Sequence, residues 1–147
     1  MNGNRISLDT NVLFYSVDWD AGDRNTRAVS IVNSARNWDC VLILQTLGEF
    51  FAVATRKRRM PHVDAEALVE NWLRVFPVHA AGPETLRRAM AAVREHRLSF
   101  WDAMLWATAR EAGCGVLLTE DFQHGRVLGG VRFHNPFLEA GPLLPPE

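Results

Sequence analysis

The sequence predicts a single α/β domain whose parallel sheet is covered on both faces, and three observations lead there. The chain has 147 residues, 48% of them hydrophobic, enough for one domain with a real core and too few for two. Short apolar runs of strand type recur along it, and Val41-Leu42-Ile43-Leu44 is apolar throughout, as in a strand with both faces buried. Between these runs lie longer segments with apolar residues at helical spacing, and strands alternating with helices build a parallel sheet.

Ile6-Ser7-Leu8 leads into Asp9 as a first strand ending in a carboxylate, and a short helical turn follows near Val12–Ser16. The polar stretch Asp18–Asp23 reads as a loop. A helix over about 24–37 places Ala28, Ile31, Val32 and Ala35 on one stripe. The second strand, 41–44, gives way at Thr46 to a helix reaching about Arg58, with Leu47, Phe50, Phe51 and Ala54 inward. Pro61 closes it, and 63–75 forms another helix with Ala67, Leu68, Trp72 and Leu73 inward. Phe76-Pro77-Val78 is a short strand, set at an edge by its proline. Gly82-Pro83-Glu84 starts a helix carrying Leu86, Met90 and Val93 as far as about His96. Ser99 opens the next, over 101–111, and Gly113 ends it. Val116–Leu118 is the fourth strand, Thr119–Gly130 a polar loop, and Val131–Phe133 a short fifth strand. The domain core thus spans about 6–137. The remainder, 138–147, is too rich in proline for regular structure and is expected to be a mobile tail.

Net charge is −1, so a nucleic-acid surface would have to arise from local clustering of the 16 Lys and Arg. Cys40 and Cys114 lie far apart and form no metal-binding pair, so they read as reduced core thiols. With no targeting segment and no run long enough to span a bilayer, the expectation is a soluble, cytoplasmic protein without membrane contact.

In a parallel sheet each crossover helix runs antiparallel to its strands, so helix N-termini share an edge with strand C-termini. That filter selects four acids. Asp9 ends the first strand, Glu49 and Asp102 sit in first turns of helices, and Asp121 follows the fourth strand. Each also has an ordinary role open to it. Thr46-Leu47-Gly48-Glu49 fits a capping box, Ser99-Phe100-Trp101-Asp102 a shorter version of one, Asp9 can cap the turn at Thr10, and Asp121 can form an Asx-turn. As a set they repel, and without matching cations each raises the others' pKa unless a divalent cation sits among them. Oxygen-only ligands favour Mg²⁺ or Mn²⁺, and the chemistry indicated is metal-assisted attack of water on a phosphodiester.

Asp9-Thr10-Asn11 after a strand, Gln45-Thr46-Leu47-Gly48-Glu49-Phe50, Leu98-Ser99-Phe100-Trp101-Asp102-Ala103 and Leu118-Thr119-Glu120-Asp121-Phe122 resemble the four signature segments of PIN-domain nucleases. The likeness runs from about Ile6 to Phe137, includes Asn135-Pro136-Phe137, and is greatest to VapC-type toxins of toxin–antitoxin pairs. The resemblance implies a three-layer α/β/α fold with a parallel sheet of about five strands. It further implies Mg²⁺- or Mn²⁺-dependent cleavage of RNA, a homodimer and inhibition by a cognate antitoxin protein. The family's acidic positions fall on Asp9, Glu49, Asp102 and Asp121, with Asn11 and Thr119 as supporting polar residues. The resemblance implies metal contact by Asp9, Asp102 and Asp121, directly or through water, with Glu49 completing the set or orienting the attacking water.

Gln123 and His124 stand where some PIN domains have a further acid, and His124 reads as a solvated loop residue. Glu120 reads as a surface residue, because neighbouring side chains near a strand end point apart. Arg56-Lys57-Arg58-Arg59 is the one dense basic run, equally a solvated helix end and an RNA backbone contact. Among five tryptophans, Trp72 and Trp106 lie on apolar stripes, while Trp19 and Trp101 are placed for the active edge or an interface. For Trp101 packing is the commoner role and base stacking the alternative. Two other classes compete: a non-catalytic RNA- or protein-binding module, and a haloacid-dehalogenase-type enzyme. The latter wants a second Asp two residues after the first, where Asn11 stands.

Overall fold

The computed structural model of the protein describes residues 5–138 and 141–145. Six strands are found among them: β1 (Ile6–Leu8), β2 (Leu42–Ile43), β3 (Val78–His79), β4 (Val116–Leu118), β5 (Val127–Leu128) and β6 (Val131–His134). β1, β4, β6 and β5 form one sheet in that order, and β2 pairs with β3 in a second. A bridge between Ile6 and Cys40, with Val41 N–H donating to Ile6 O at 3.0 Å, ties the two together. Every pairing is parallel except β5 with β6. The five predicted strands are therefore present, with β3 at an edge, and β5 is an addition inside a stretch expected to be loop. Its turn residues Gly129 and Gly130 both have positive φ, +54° and +83°, the conformation a two-residue hairpin needs.

Among the described residues six α-helices accompany the sheet: α1 (Thr10–Val17), α2 (Asp23–Ala35), α3 (Leu44–Arg56), α4 (His62–Val75), α5 (Pro83–His96) and α6 (Phe100–Glu111). Several boundaries differ from expectation, and β3, expected over 76–78, lies at Val78–His79. The turn predicted near 12–16 is a full helix starting directly after Asp9, and α3 starts at Leu44, where β2 was expected to continue. The stretch 18–23, expected to be loop, contains a 3-10 turn at Trp19–Ala21.

Strand alternation sorts the side chains into two cores. Ile6, Leu8, Leu42, Val116 and Leu118 face α1 to α4, joining Leu13, Ile31, Leu47, Phe50 and Trp72. Phe50 and Trp72 meet edge to face at 4.7 Å, and large side chains buried so completely contribute about 1.5–3 kcal/mol each. Ile43, Leu117, Val131 and Phe133 face the other way, onto α5 and α6. This is the predicted three-layer arrangement. Packing on that second side runs through Ala89 and Ala92 of α5 and Ala103 and Ala107 of α6, which let the helices approach closely. In consequence Leu86, Met90 and Val93, the large apolar residues noted on α5, stay partly exposed, Met90 by 50%. On α4, Trp72 is buried as expected, but Ala67 and Leu73 lie outside and Ala65 takes the inner position.

Cys40 and Cys114 are free and buried, and burial pushes both thiols up to about 12. Part of the tail expected to be mobile is held down. Leu143 and Leu144 pack on the first core, Arg27 donates to Gly141 O, and His134 Nε2 lies 2.8 Å from Pro142 O. Residues 139–140 and 146–147 lie outside the described residues. No helix among the described residues is long and apolar enough to cross a membrane.

Candidate active site

The parallel ladder sets the position of the first carboxylate. Asp9 N–H donates to Leu118 O at 2.9 Å, continuing the β1–β4 pairing one residue past the strand, and Thr119 N–H donates to His134 O at 2.9 Å. Asp9 and Thr119 are thereby neighbours on adjacent strand ends, and Thr119 Oγ1 donates to Asp9 Oδ2 at 2.7 Å. Asp9 Oδ1 accepts from Thr10 N–H at 2.6 Å, so the predicted capping role is real. It does not account for the whole residue. Asp9 is only 5% exposed, and burial pushes its carboxyl up to about 7 despite both hydrogen bonds, with Asp121 and Glu49 adding repulsion.

Of the next two acids, Asp102 comes from a helix N-terminus as expected, whereas Glu49, expected in a first turn, lies in the second turn of α3 because that helix begins two residues early, at Leu44. Asp102 lies in the first turn of α6, whose N-cap Ser99 accepts from Asp102 N–H at 3.4 Å. The capping box expected at Thr46 is absent. α3 springs straight from β2 with Ile43 as an N-cap that makes no side-chain bond, and Thr46 Oγ1 donates to Ile43 O at 2.7 Å. Glu49 is thus not engaged at Thr46. It accepts instead from Gln45 Nε2 at 3.0 Å, and the same amide donates to Trp101 O at 3.1 Å, joining the first turns of α3 and α6. Burial first, then Asp102 and Asp121, raises the Glu49 carboxyl.

Asp121 follows β4, with its N–H donating to Thr119 Oγ1 at 3.0 Å, so the turn there is closed by the threonine. Asn11 Nδ2 donates to Asp121 Oδ2 at 3.2 Å, a bond that opposes an upward shift caused by burial, Glu120 and Asp102. Asn11 Oδ1 is buried without a hydrogen-bond partner. All four acids, with Asn11, line one cleft of about 330 Å³ at the predicted sheet edge.

Donor chemistry decides what this cleft suits. The four carboxylates and the orphaned Asn11 carbonyl are hard oxygen donors, which fit Mg²⁺ or Mn²⁺. Among the described residues, no three His, Cys, Asp or Glu side chains form a ready-made metal-holding group. The fit therefore rests on the shared cleft, the donor type and the mutual repulsion.

The other predicted site residues separate. Lys57 and Arg58 line the cleft, Arg58 pairing with Asp18 at 3.1 Å and lying 5.3 Å over the Phe14 ring. Arg56 is outside the cleft, and Arg59 lines a neighbouring hollow. Trp72 and Trp106 are core residues as expected, but Trp101 is 63% exposed and touches Phe100 edge-on, so packing is not its main role. Glu120, expected to be a surface residue, is instead only 19% exposed at its side chain: Tyr15 OH, from the cleft wall, donates to it and Arg24 pairs with it at 3.1 Å. His124 is exposed and accepts from Asn135 N–H at 2.9 Å. Sequence reasoning missed Gln45 and Tyr15, both lining the cleft. Gln45 lies one turn before Glu49, a spacing that could have revealed it; Tyr15 looked like any apolar helix residue.

Similarity to known proteins agrees with this geometry. No curated protein matches the sequence significantly. Among solved structures the chain resembles VapC20 of Mycobacterium tuberculosis, a sarcin-ricin loop cleaving toxin. Identity is 21% over 84% of this chain and 97% of that one, with a TM-score of 0.68. A toxin–antitoxin complex from Klebsiella pneumoniae matches at 23% identity, 86% and 94% coverage and a TM-score of 0.61. FitAcB from Neisseria gonorrhoeae matches at 19%, 90% and 99%, with a TM-score of 0.64. At these identities the neighbours establish a common fold. The model of the PIN domain matches residues 6–128, from β1 through β5, and the chain therefore belongs to the PIN domain family.

Proposed function

We propose that this PIN domain is a metal-dependent endoribonuclease and the toxin component of a type II toxin–antitoxin pair. The observation that carries the nuclease reading is the buried Asp9 in a cleft with three further acids and no compensating ion pair on any of the four among the described residues. Asp9, Asp102 and Asp121 would hold a Mg²⁺ or Mn²⁺ ion, with Glu49 completing the set or orienting the attacking water. Bound there, such an ion supplies Lewis-acid activation of water and offsets charge on the phosphodiester. The protein's own part is positioning. Thr119 holds Asp9, Asn11 holds Asp121, and Gln45 sets Glu49 against the α6 turn. Lys57 and Arg58 supply positive charge along one side of the cleft for an RNA backbone.

The toxin role is drawn from the neighbours, several of which are toxins or toxin–antitoxin complexes. A cognate antitoxin encoded beside this chain and co-purifying with it would support that role. The uncovered apolar stripe on α5 supports a homodimer, which sedimentation would test.

The direct test is cleavage of total and transfer RNA by the purified protein in Mg²⁺, Mn²⁺ or EDTA, beside Asp9→Asn. Cutting that requires metal and disappears in the variant is expected. A folded protein that cuts in no metal would leave a non-catalytic RNA- or protein-binding module.

A further inference from the structure

The turn after β4 carries Asp121 into the cleft, and of its four residues, 119–122, only Asp121 is exposed. The other three are anchored in different directions. Thr119 is tied to Asp9 and to β6, and Phe122 is buried and stacks on Phe133 with ring centres 4.3 Å apart. Glu120 is held from the helices, accepting from Tyr15 OH of α1 while Arg24 of α2 pairs with it at 3.1 Å. We propose that Tyr15 and Arg24 act through Glu120 as positioning residues, fixing this turn so that the Asp121 carboxylate is set for a divalent cation in the cleft. That purpose rests on the metal-dependent reading of the cleft, whereas the anchoring does not.

Tyr15 is itself fixed, so it can act as a support. Its ring meets Phe137 edge-on at 5.1 Å, its backbone carbonyl accepts from Asn25 Nδ2 at 2.8 Å, and the Arg24 guanidinium lies 5.7 Å from the ring centre. Burial first, then the bond to Glu120, pushes the phenol up to about 12, so the hydroxyl keeps its proton and stays a donor. The Glu120 side chain is only 19% exposed, and withdrawing a carboxylate that far from water is costly unless it is paired and hydrogen-bonded. Both conditions are met by residues that line or adjoin the cleft.

The two partners of Glu120 have different tasks. A glutamate beside Asp121 would add another negative charge to an edge already crowded with acids, and Arg24 offsets it. Tyr15 carries no charge and supplies direction, since a single hydroxyl bond fixes one carboxylate oxygen. One peptide unit separates the carboxylate held in this way from Asp121, whose own N–H is taken by Thr119 Oγ1 at 3.0 Å. Freeing Glu120 therefore loosens the segment that aims Asp121. Residues that hold metal-binding carboxylates through hydrogen bonds commonly govern affinity by about 10- to 100-fold.

The experiment takes two readouts on the full chain: exchange of the Asp121 amide hydrogen, followed by NMR in EDTA, and calorimetric titration of Mn²⁺. Tyr15→Phe, which loses only the hydroxyl, should speed exchange at Asp121 roughly threefold or more, as loss of one hydrogen bond allows, with the β1 and β4 amides unchanged. It should also weaken Mn²⁺ binding about tenfold. Glu120→Ala should do both at least as strongly, and Glu120→Gln, which keeps an acceptor for Tyr15 OH, should recover most of the loss. Tyr15→Phe added to Glu120→Ala should cost nothing more, because the hydroxyl acts through the carboxylate. Unchanged exchange at Asp121 in Tyr15→Phe and Glu120→Ala overturns the proposal, and so does quickened exchange with full Mn²⁺ affinity. Additive losses in the double variant, or exchange that quickens equally across β1 and β4, overturn it as well. No Mn²⁺ binding by wild type would sink the metal reading instead, and exchange at Asp121 would still decide the anchor: quickened in the variants it stands, unchanged it falls.

Discussion

Two threonine–carboxylate pairs in this protein lead to opposite electrostatics. At the far end of α6, Glu111 accepts from Thr85 Oγ1 at 2.9 Å and lies 3.0 Å from His79 Nε2, and these bonds hold its carboxyl below the usual range. At the sheet edge, Asp9 accepts from Thr119 in the same manner, yet its carboxyl is pushed up to about 7. The difference is burial and company. Glu111 is open to water with a histidine beside it, whereas Asp9 is enclosed and its charged neighbours are other acids. A fold that lowers one carboxyl has raised another that is hydrogen-bonded in the same way, and strongly perturbed carboxyls cluster at functional sites.

Asp9→Asn breaks that comparison most severely. Cleavage is expected to fall by about a thousandfold, read from initial rates on RNA. Stability should move the other way. Asp9 takes up its proton near pH 7 when folded and near 3.8 when unfolded, so the folded state binds the extra proton between these values. Wild-type stability should therefore decline as pH rises from about 4 to 7, by at most roughly 4 kcal/mol, and the variant should lose that decline in urea melts.

Glu49→Gln should cost about a hundredfold in rate while leaving the urea midpoint nearly unchanged, since Glu49 caps nothing. A loss of about 1 kcal/mol would restore the capping role. Thr119→Val removes the donor to Asp9 and the acceptor for Asp121 N–H. A rate loss of roughly 10- to 100-fold is expected, with about 1–3 kcal/mol of destabilisation from the unpaired groups. Glu111→Gln sits at the mild end. Because the Glu111 carboxyl is depressed, its contribution is present above about 4.5 and lost as pH falls below that, so the variant should lose under about 1 kcal/mol at pH 7 and keep its cleavage rate.

The edge was readable from the sequence because strand and helix order alone places Asp9, Glu49, Asp102 and Asp121 there. How each acid is held was not. Thr46 and Glu49 have capping-box spacing, but β2 is two residues long and α3 begins at Leu44, which turns Thr46 back onto Ile43. Gln45 escaped notice because its two partners lie on different helices. The apolar residues noted on α5, Leu86, Met90 and Val93, do not mark its buried face, since close packing of alanines, rather than side-chain size, selects that face. Glu120 looked expendable because its partner Tyr15 is 105 positions away.

Calorimetric titration of Mn²⁺ into wild type and Asp9→Asn, at pH 7.5 and at pH 6, tests most directly whether the unsatisfied acids hold a divalent cation. Binding by wild type that weakens at pH 6, where Asp9 holds a proton, and vanishes in Asp9→Asn is the expected result. No binding by wild type at either pH, or equal binding by the variant, would contradict it.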